Sequence, residues 1–281
     1  TTGFILSGGQ GGAISNKIPV LCRKNKNISY LCTDNQGHGI MIITREVQKR
    51  LEDFQPDYVF TYRDLNLPAE TSESIIKMLN RLAGEGYLAK ISKGRFYKPK
   101  KSVFGTLKPR QEELVKDLLE KNGKRIGYLT GYSVFNRLGL TTQVPNIIQI
   151  GTNQRRNKKQ RDIFTVCFVL QPNPITKDNI PLLQLLDAIR FIKEIPDTTI
   201  EASYRRIAFL VGELGRREKE KMVALAEAYP PMVRALLGTI IENDCGMAKA
   251  QPLWDSLNPV TVYKLGINED TLPNKKKWRI E

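Results

Sequence analysis

The residues of this chain most able to do chemistry are cations, and they come in clusters. Residues 88–101 (LAKISKGRFYKPKK) hold six basic side chains and no acidic one, 155–161 read RRNKKQR, and 275–279 read KKKWR. Lys and Arg in such runs meet phosphate oxygens, and those beside Phe96-Tyr97 suit backbone or minor-groove contact. Each cluster taken alone also reads as a solvated turn or tail. Over 281 residues, 44 Lys+Arg against 29 Asp+Glu leave a net charge of +15 at pH 7. That excess points to a polyanion, nucleic acid ahead of an anionic membrane face. It is spread almost evenly along the chain, so the placement of the clusters carries the information.

Nucleophilic and metal chemistry have little to stand on. A Ser/His/Asp or Cys/His arrangement needs a base, and the sole histidine, His38, lies in a stretch without helical or strand period. The pairs Glu112/Glu113 and Asp117/Glu120 fall on what reads as an amphipathic helix, where a solvated face accounts for them. Scattered Asp and Glu leave a nuclease as the remaining enzymatic reading. The four cysteines, Cys22, Cys32, Cys167 and Cys245, have no CxxC spacing, so neither a zinc ribbon nor a disulfide scaffold is indicated. Cys22, Cys32 and His38 can be drawn as metal ligands, but three loosely spaced ligands without a fourth make a weak site. Leu6-Ser7-Gly8-Gly9-Gln10 reproduces a signature that contacts ATP only opposite a GxxxxGK[ST] loop, and Gly123-Lys124 is followed by Arg125. The expectation is a protein with no enzymatic activity, cofactor or metal. No apolar run approaches the ~18 residues of a membrane span and no signal-peptide pattern is visible, so a cytoplasmic protein without a membrane partner is expected.

The elements that must position the cations begin at Met41. Residues 1–40 are rich in Gly, Asn and Ser and lack a period, which reads as a flexible extension preceding a native start at Met41. Thr44 is expected to cap a helix with Val47, Leu51 and Phe54 on its buried stripe, ended by Pro56. Val59-Phe60 then enter the core, and Thr61 caps a brief helix through Leu65. Thr71 or Ser72 caps a longer helix, SESIIKMLNRLAGEG, with Ile75, Leu79 and Leu82 inward, Met78 flanking, and Gly84 and Gly86 as its stop. A hairpin follows, turning at Ser92-Lys93-Gly94 and leaving by Pro99. Helix, short helix, helix, hairpin is the order of a winged helix-turn-helix. Ser72, Ser74, Lys77 and Arg81 then face outward, the first three toward base edges and Arg81 toward a phosphate. Lys93, Arg95 and Lys98 are the candidate contacts on the wing. The competing reading is a small helical domain with a solvated polar face.

Past this unit, Pro109 and RQEELVKDLLEKN predict one more amphipathic helix, stopped at Gly123. Gly131 and Gly139 bracket a short helix over 132–138, and Pro145 launches a strand. Asn136 and Gln143 are expected to bond local backbone. NIIQI and IFTVCFV read as paired strands joined by the RRNKKQR loop, and four helices follow, near 180–193, 199–214, 216–228 and 231–242. The basic loop is expected to be an exposed hairpin loop, with extra phosphate contacts or approach to a partner's acidic site as the alternatives.

At this point the residues resemble a known family. GYLAKISKGRFYKP at 86–99, followed by a helix and then GYLTGYSVFNRLGLTTQVPNIIQIGT at 127–152, is similar to the AbiEi-type antitoxins of type IV toxin–antitoxin (abortive infection) systems. The subgroup is that in which a winged helix precedes an LGL(S/T)TQVP segment. The shared pattern is Gly94, Phe96-Tyr97, Pro99, Gly131, Asn136, Leu138-Gly139-Leu140 and Thr142-Gln143-Val144-Pro145. YPPMVRALLGTIIE and LWDSLNPVTVYKLGI match more loosely, and the likeness spans about 55–270. The resemblance implies a bifunctional protein: a winged helix that binds inverted repeats in its own promoter DNA and represses the operon, and a C-terminal part that neutralises a nucleotidyltransferase-like toxin, functionally and not necessarily by stable contact. A toxin of that kind would itself want a Gly-Ser turn and spaced Asp residues for two metals, and this chain has no Gly-Ser dipeptide and no DxD.

The expected fold is therefore α+β: an extension at 1–40, a winged helix-turn-helix DNA-binding domain at 41–101, and an α+β antitoxin domain with a helical C-terminal part at 102–281. A winged-helix transcription regulator without a toxin, its C-terminal part dimerising or sensing a ligand, is the alternative. A third reading is an interaction protein whose winged helix docks protein and never meets DNA.

Overall fold

A computed structural model of the protein describes residues 37–281 apart from Phe104, Lys108, Val144, Pro145 and Asp162. The LSGGQ stretch, Cys22, Cys32, the side chain of His38 and the strand start at Pro145 thus lie outside the described residues. The architecture is mixed α+β.

Helix α1 (Gly37–Asp53) begins before both Met41 and Thr44, so Thr44 lies within the helix and is not its cap. No helix breaker separates Gly39 from Thr44, and a capping residue does not start a helix that already propagates through it. A 3-10 turn (Tyr62–Leu65) follows, where the Thr61 amide and hydroxyl both donate to Asp64 Oδ2, at 2.6 and 2.9 Å. After a second turn at Ala69–Thr71 comes α2 (Ser72–Gly84). The Thr71 hydroxyl gives this helix no cap; it donates backward to Pro68 O at 2.7 Å. Strands β1 (Ala89–Ser92) and β2 (Arg95–Tyr97) pair antiparallel around Lys93-Gly94, with Gly94 at φ 73°. Phe60 and Phe96 exchange both backbone hydrogen bonds at 2.9 Å, adding a third, one-residue rung to the hairpin. Val47, Leu51, Phe60, Leu65, Ile75, Met78, Leu79, Leu82, Leu88 and Phe96 close one core beneath these elements.

A second small hairpin, β3 (Lys100–Ser102) with β4 (Gly105–Leu107), leads on. The single helix expected from 110 to 122 is broken. It runs as α3 (Gln111–Leu114) and α4 (Lys116–Leu119), parted at Val115, and gives way to a two-rung hairpin, β5 (Glu120–Lys121) with β6 (Lys124–Arg125). Asn122 and Gly123 take φ of 52° and 73°, the left-handed pair that an Asn-Gly hairpin turn requires. That local signal outweighs the helical period. The break is also held from outside, because the Arg161 guanidinium donates to Leu114 O at 2.6 Å.

The main sheet has the order β7-β8-β10-β9, from β7 (Gly127–Thr130), β8 (Ile147–Thr152), β9 (Lys159–Arg161) and β10 (Phe164–Leu170). The predicted pairing of 146–150 with 163–169 is present but parallel, with Thr165 opposite Ile147 and Leu170 opposite Thr152. The basic stretch is therefore not a hairpin loop between them. Its end folds into β9, which takes the antiparallel place beside β10 and leaves β8 to pair from the other side. Between β7 and β8, α5 (Tyr132–Phe135) follows Gly131, whose φ of 54° and tight fit against Gln149 admit no Cβ.

Helices α6 (Ile180–Arg190), α7 (Ile200–Gly212), α8 (Arg216–Ala226) and α9 (Pro231–Cys245) realise the four expected ones, and α10 (Met247–Asp255) adds a fifth. Pro252 lies inside α10, where a proline forgoes one helical hydrogen bond. Trp278 inserts into this layer fully buried, against Gly238 of α9, where a Cβ would overlap its ring.

Candidate nucleic-acid interface

The inward stripe of α2 holds as patterned: Ile75, Met78, Leu79 and Leu82 are buried, which turns Ser74, Lys77 and Arg81 outward and leaves Ser72 half-buried at the start. Lys77 is exposed with no partner among the described residues. Arg81 stands 3.9 Å from Glu85. On the hairpin, Lys93 is exposed at the turn, and Lys90 donates to Asn80 of α2 at 3.0 Å while lying over the Phe96 ring. The structure thus brings Lys77, Lys93 and Lys90 onto one unit.

Two candidate contacts are engaged elsewhere. Lys98 donates to Leu51 O at 3.0 Å and Phe54 O at 3.4 Å, taking up the carbonyls at the end of α1. Arg95 donates to Asp117 Oδ2 at 2.6 Å, and Arg161 grips the same carboxylate with Nη1 at 2.5 Å and Nη2 at 2.8 Å. Burial works to raise the Asp117 pKa, but the Arg161 hydrogen bonds and the two positive charges prevail and hold it below the ordinary carboxylate value. Desolvation pulls the Arg95 pKa down, with Asp117 opposing. Charge on a cluster shows in sequence; which of its members are already neutralised does not.

The remaining clusters separate in the same way. At 275–279 each cation has a partner within the chain, though Lys276 and Lys277 are exposed: Lys275 donates to Ile267 O at 2.7 Å, Lys276 pairs with Glu269 at 2.6 Å, Lys277 pairs with Glu242, and Arg279 lies over the Trp254 ring. At 155–161 only Arg161 is buried; Arg155, Lys158 and Lys159 are exposed without partners among the described residues, and Arg156 rests on the Phe168 ring. The carboxylate pairs are likewise spoken for by cations: Glu112 by Arg137 at 3.4 Å, Glu113 by Lys116 at 3.8 Å, Glu120 by Arg125 at 4.0 Å.

Sequence reasoning also missed a buried polar cluster between sheet and helices. Asp187 on α6 is fully buried and accepts hydrogen bonds from Thr130 Oγ1 at 2.5 Å, Tyr128 OH at 2.6 Å and Tyr229 OH at 2.9 Å. Gln171 Nε2 donates to both tyrosine oxygens, at 2.9 and 2.7 Å. Desolvation raises the Asp187 pKa against the pull of the three hydroxyls, and raises those of Tyr128 and Tyr229. The donors are all accounted for within the fold, so this cluster reads as a structural bolt.

In the LGLTTQVP segment, Asn136 Nδ2 donates to Thr141 O at 3.2 Å as expected, but the Gln143 amide reaches Asp197 instead of local backbone. Arg206 of α7 donates to Leu138 O at 2.9 Å and lies against Gly139, whose φ is 70°. Among the described residues, no group of three His, Cys, Asp or Glu could hold a metal ion, and no helix is long and apolar enough to cross a membrane.

The class the fold defines is an α+β protein in which a helix–hairpin unit precedes a four-stranded mixed sheet and a helical layer. The chain belongs to DUF6088, described as a family of unknown function, whose match covers residues 47–207. Among solved structures it is similar to the RV2827C protein from Mycobacterium tuberculosis, at 16% identity and TM-score 0.44, over 80% of this chain and 85% of that one. No curated protein matches.

Proposed function

We propose that this protein is a DNA-binding antitoxin that represses its own operon, with residues 41–101 acting as a winged helix-turn-helix and residues 102–281 neutralising a nucleotidyltransferase-like toxin. The observation that carries the DNA half is the pairing of α2's outward face with the hairpin turn: Ser72, Ser74, Lys77 and Arg81 on one element, Lys93 on the next, above a core that spends no polar residue. Ser74 and Lys77 lie in the half of the helix that enters a major groove, and Lys93 meets the backbone beside it. The antitoxin half rests on the sequence resemblance of 86–99 and 127–152 to AbiEi-type antitoxins.

Two measurements test the two halves. Binding to duplex DNA from upstream of the gene is expected to weaken in Lys77→Ala, Arg81→Ala and Lys93→Ala; unchanged binding in all three would sink the assignment of the DNA face. Co-expression with a nucleotidyltransferase-like gene beside it is expected to restore growth. An isolated gene, or no rescue by the full chain, would leave a transcription regulator without a toxin.

A further inference from the structure

The second basic cluster has the exposure of a binding surface and a fixed place beside the first. Three of its cations, Arg155, Lys158 and Lys159, have no partner among the described residues, whereas those of 275–279 are held by carboxylates, a carbonyl and an indole ring. Gln154, Arg155, Arg156 and Asn157 line a recess of about 300 Å³ over Phe168 and Leu170. Arg156 is laid on the Phe168 ring, 5.8 Å from its centroid, so one guanidinium is oriented before any ligand arrives. Two guanidinium groups and two amides around a recess of this kind suit a phosphodiester.

The place of the cluster follows from Asp117. Arg95 of the hairpin and Arg161 of β9 clamp the same carboxylate, at 2.6 and 2.5 Å. Lys159 is two residues from Arg161 on a strand, so it leaves the same face of the sheet about 7 Å along. Lys93 is two residues from Arg95. The exposed cations therefore adjoin a triad that itself keeps one net positive charge: Lys93 follows from the Arg95 strand, Lys159 and the 155–158 segment from the Arg161 strand. The hairpin cannot swing away from this arrangement, because Ile91 and Tyr97 share a core with Leu114, Val115, Leu118, Ile148, Ile150 and Val166.

We propose that residues 155–159 form a second phosphate-binding surface, which grips the same DNA duplex as α2 and the hairpin turn, beyond their footprint. The inference rests on the DNA-binding reading above. Phosphate contacts carry no sequence information, so this surface adds affinity and sets the length of duplex covered, while α2 supplies the discrimination.

The test uses the full chain and a variant in which Arg155, Arg156, Lys158 and Lys159 are all replaced by Ala. Binding is measured between about 50 and 200 mM salt, on a long upstream duplex, a scrambled duplex of equal length and a short duplex spanning only the α2 site. The variant is expected to lose about 2 to 4 from the slope of log K against log salt, at roughly 0.9 per contact. Its affinity should fall by the same factor on both long duplexes and stay near wild type on the short one. Arg155→Lys/Arg156→Lys is expected to keep most of the slope, which counts charges, while binding more weakly at every salt concentration because an ammonium lacks the guanidinium fork. A wild-type slope in the Ala variant, with binding still lost in Lys77→Ala, overturns this proposal and leaves the α2 face standing. Loss of solubility with an unchanged slope overturns it too, and marks the cations as guards of the exposed β9 edge. If competition shows the segment preferring single-stranded RNA, the duplex assignment is overturned. Absence of DNA binding by the wild-type chain fails the earlier reading itself. An unchanged melting temperature in the variant confirms that it folds.

Discussion

Asp117 and Asp187 are the two carboxylates around which this molecule is tied, and their surroundings give them opposite pH signatures. Asp117 meets two guanidinium groups, and its folded pKa lies below the ordinary 3.8. Its contribution to stability is present above that value and lost as pH falls through the folded pKa. Asp187 meets three hydroxyls, with the Arg190 charge as a weaker influence, and desolvation outweighs them all to put its folded pKa above 3.8. Its contribution is complete below 3.8 and is lost as pH rises through the folded pKa. Urea unfolding across the acid range should therefore show Asp187→Asn flattening the decline on the rising side, since an amide does not ionise and the Tyr229 hydroxyl can turn toward Leu183 O, 3.4 Å away. Asp117→Asn should remove the gain seen as pH climbs from strong acid. A parallel pH profile for Asp187→Asn and wild type would contradict the buried carboxylate's role. Truncating the buried partner, Arg161→Ala, leaves Leu114 O without its donor and Asp117 with Arg95 alone, and is expected to cost about 2–3 kcal/mol, read as a fall in the denaturant midpoint.

At the scale of elements, α2 and the hairpin behave as a unit because one stripe of α2 is apolar and the other side is not. Lys77→Ala is expected to weaken binding to the upstream duplex about tenfold more than to a scrambled one, as a groove contact would. Lys93→Ala should weaken both alike, as a backbone contact would. Equal loss on both duplexes for Lys77→Ala would move that residue to the phosphate class. The α2 stripe, the Thr61 cap and the Gly94 turn were legible because each is a local pattern of a few residues. The break at Val115 was not. A helical period runs on through Glu120, and only the Asn122-Gly123 pair and a guanidinium arriving from β9 overrule it. Substituting Gly123 by Ala, at φ 73°, should cost about 1 kcal/mol by thermal melting.

At the scale of the whole molecule, the hairpin and the sheet share one core, and the C-terminal residues close the helical layer. Trp278 is buried against α9 and donates to Glu242 at 2.6 Å, while the Tyr263 and Glu281 backbones bond across the closing segment. Trp278→Ala is therefore expected to cost about 3–5 kcal/mol, seen in the denaturant midpoint, and Gly238→Ala to be destabilising by overpacking against the same ring. Sequence by itself determined the α+β character, four of the C-terminal helices, the buried stripe of α2 and the location of every basic cluster, since periodicity and composition are local and additive. It could not tell which cations are free. Arg95 and Lys98 stand in the same acid-free run as Lys93, yet Asp117 lies 22 residues from Arg95 in the chain, and the carbonyls that hold Lys98 lie 44 and 47 residues away. Nor could it choose the parallel pairing of β8 with β10, because an apolar strand fits either direction until β9 occupies the antiparallel side. Tertiary structure decided both, by bringing distant carboxylates and strand edges to the places where charge and hydrogen bonds are satisfied.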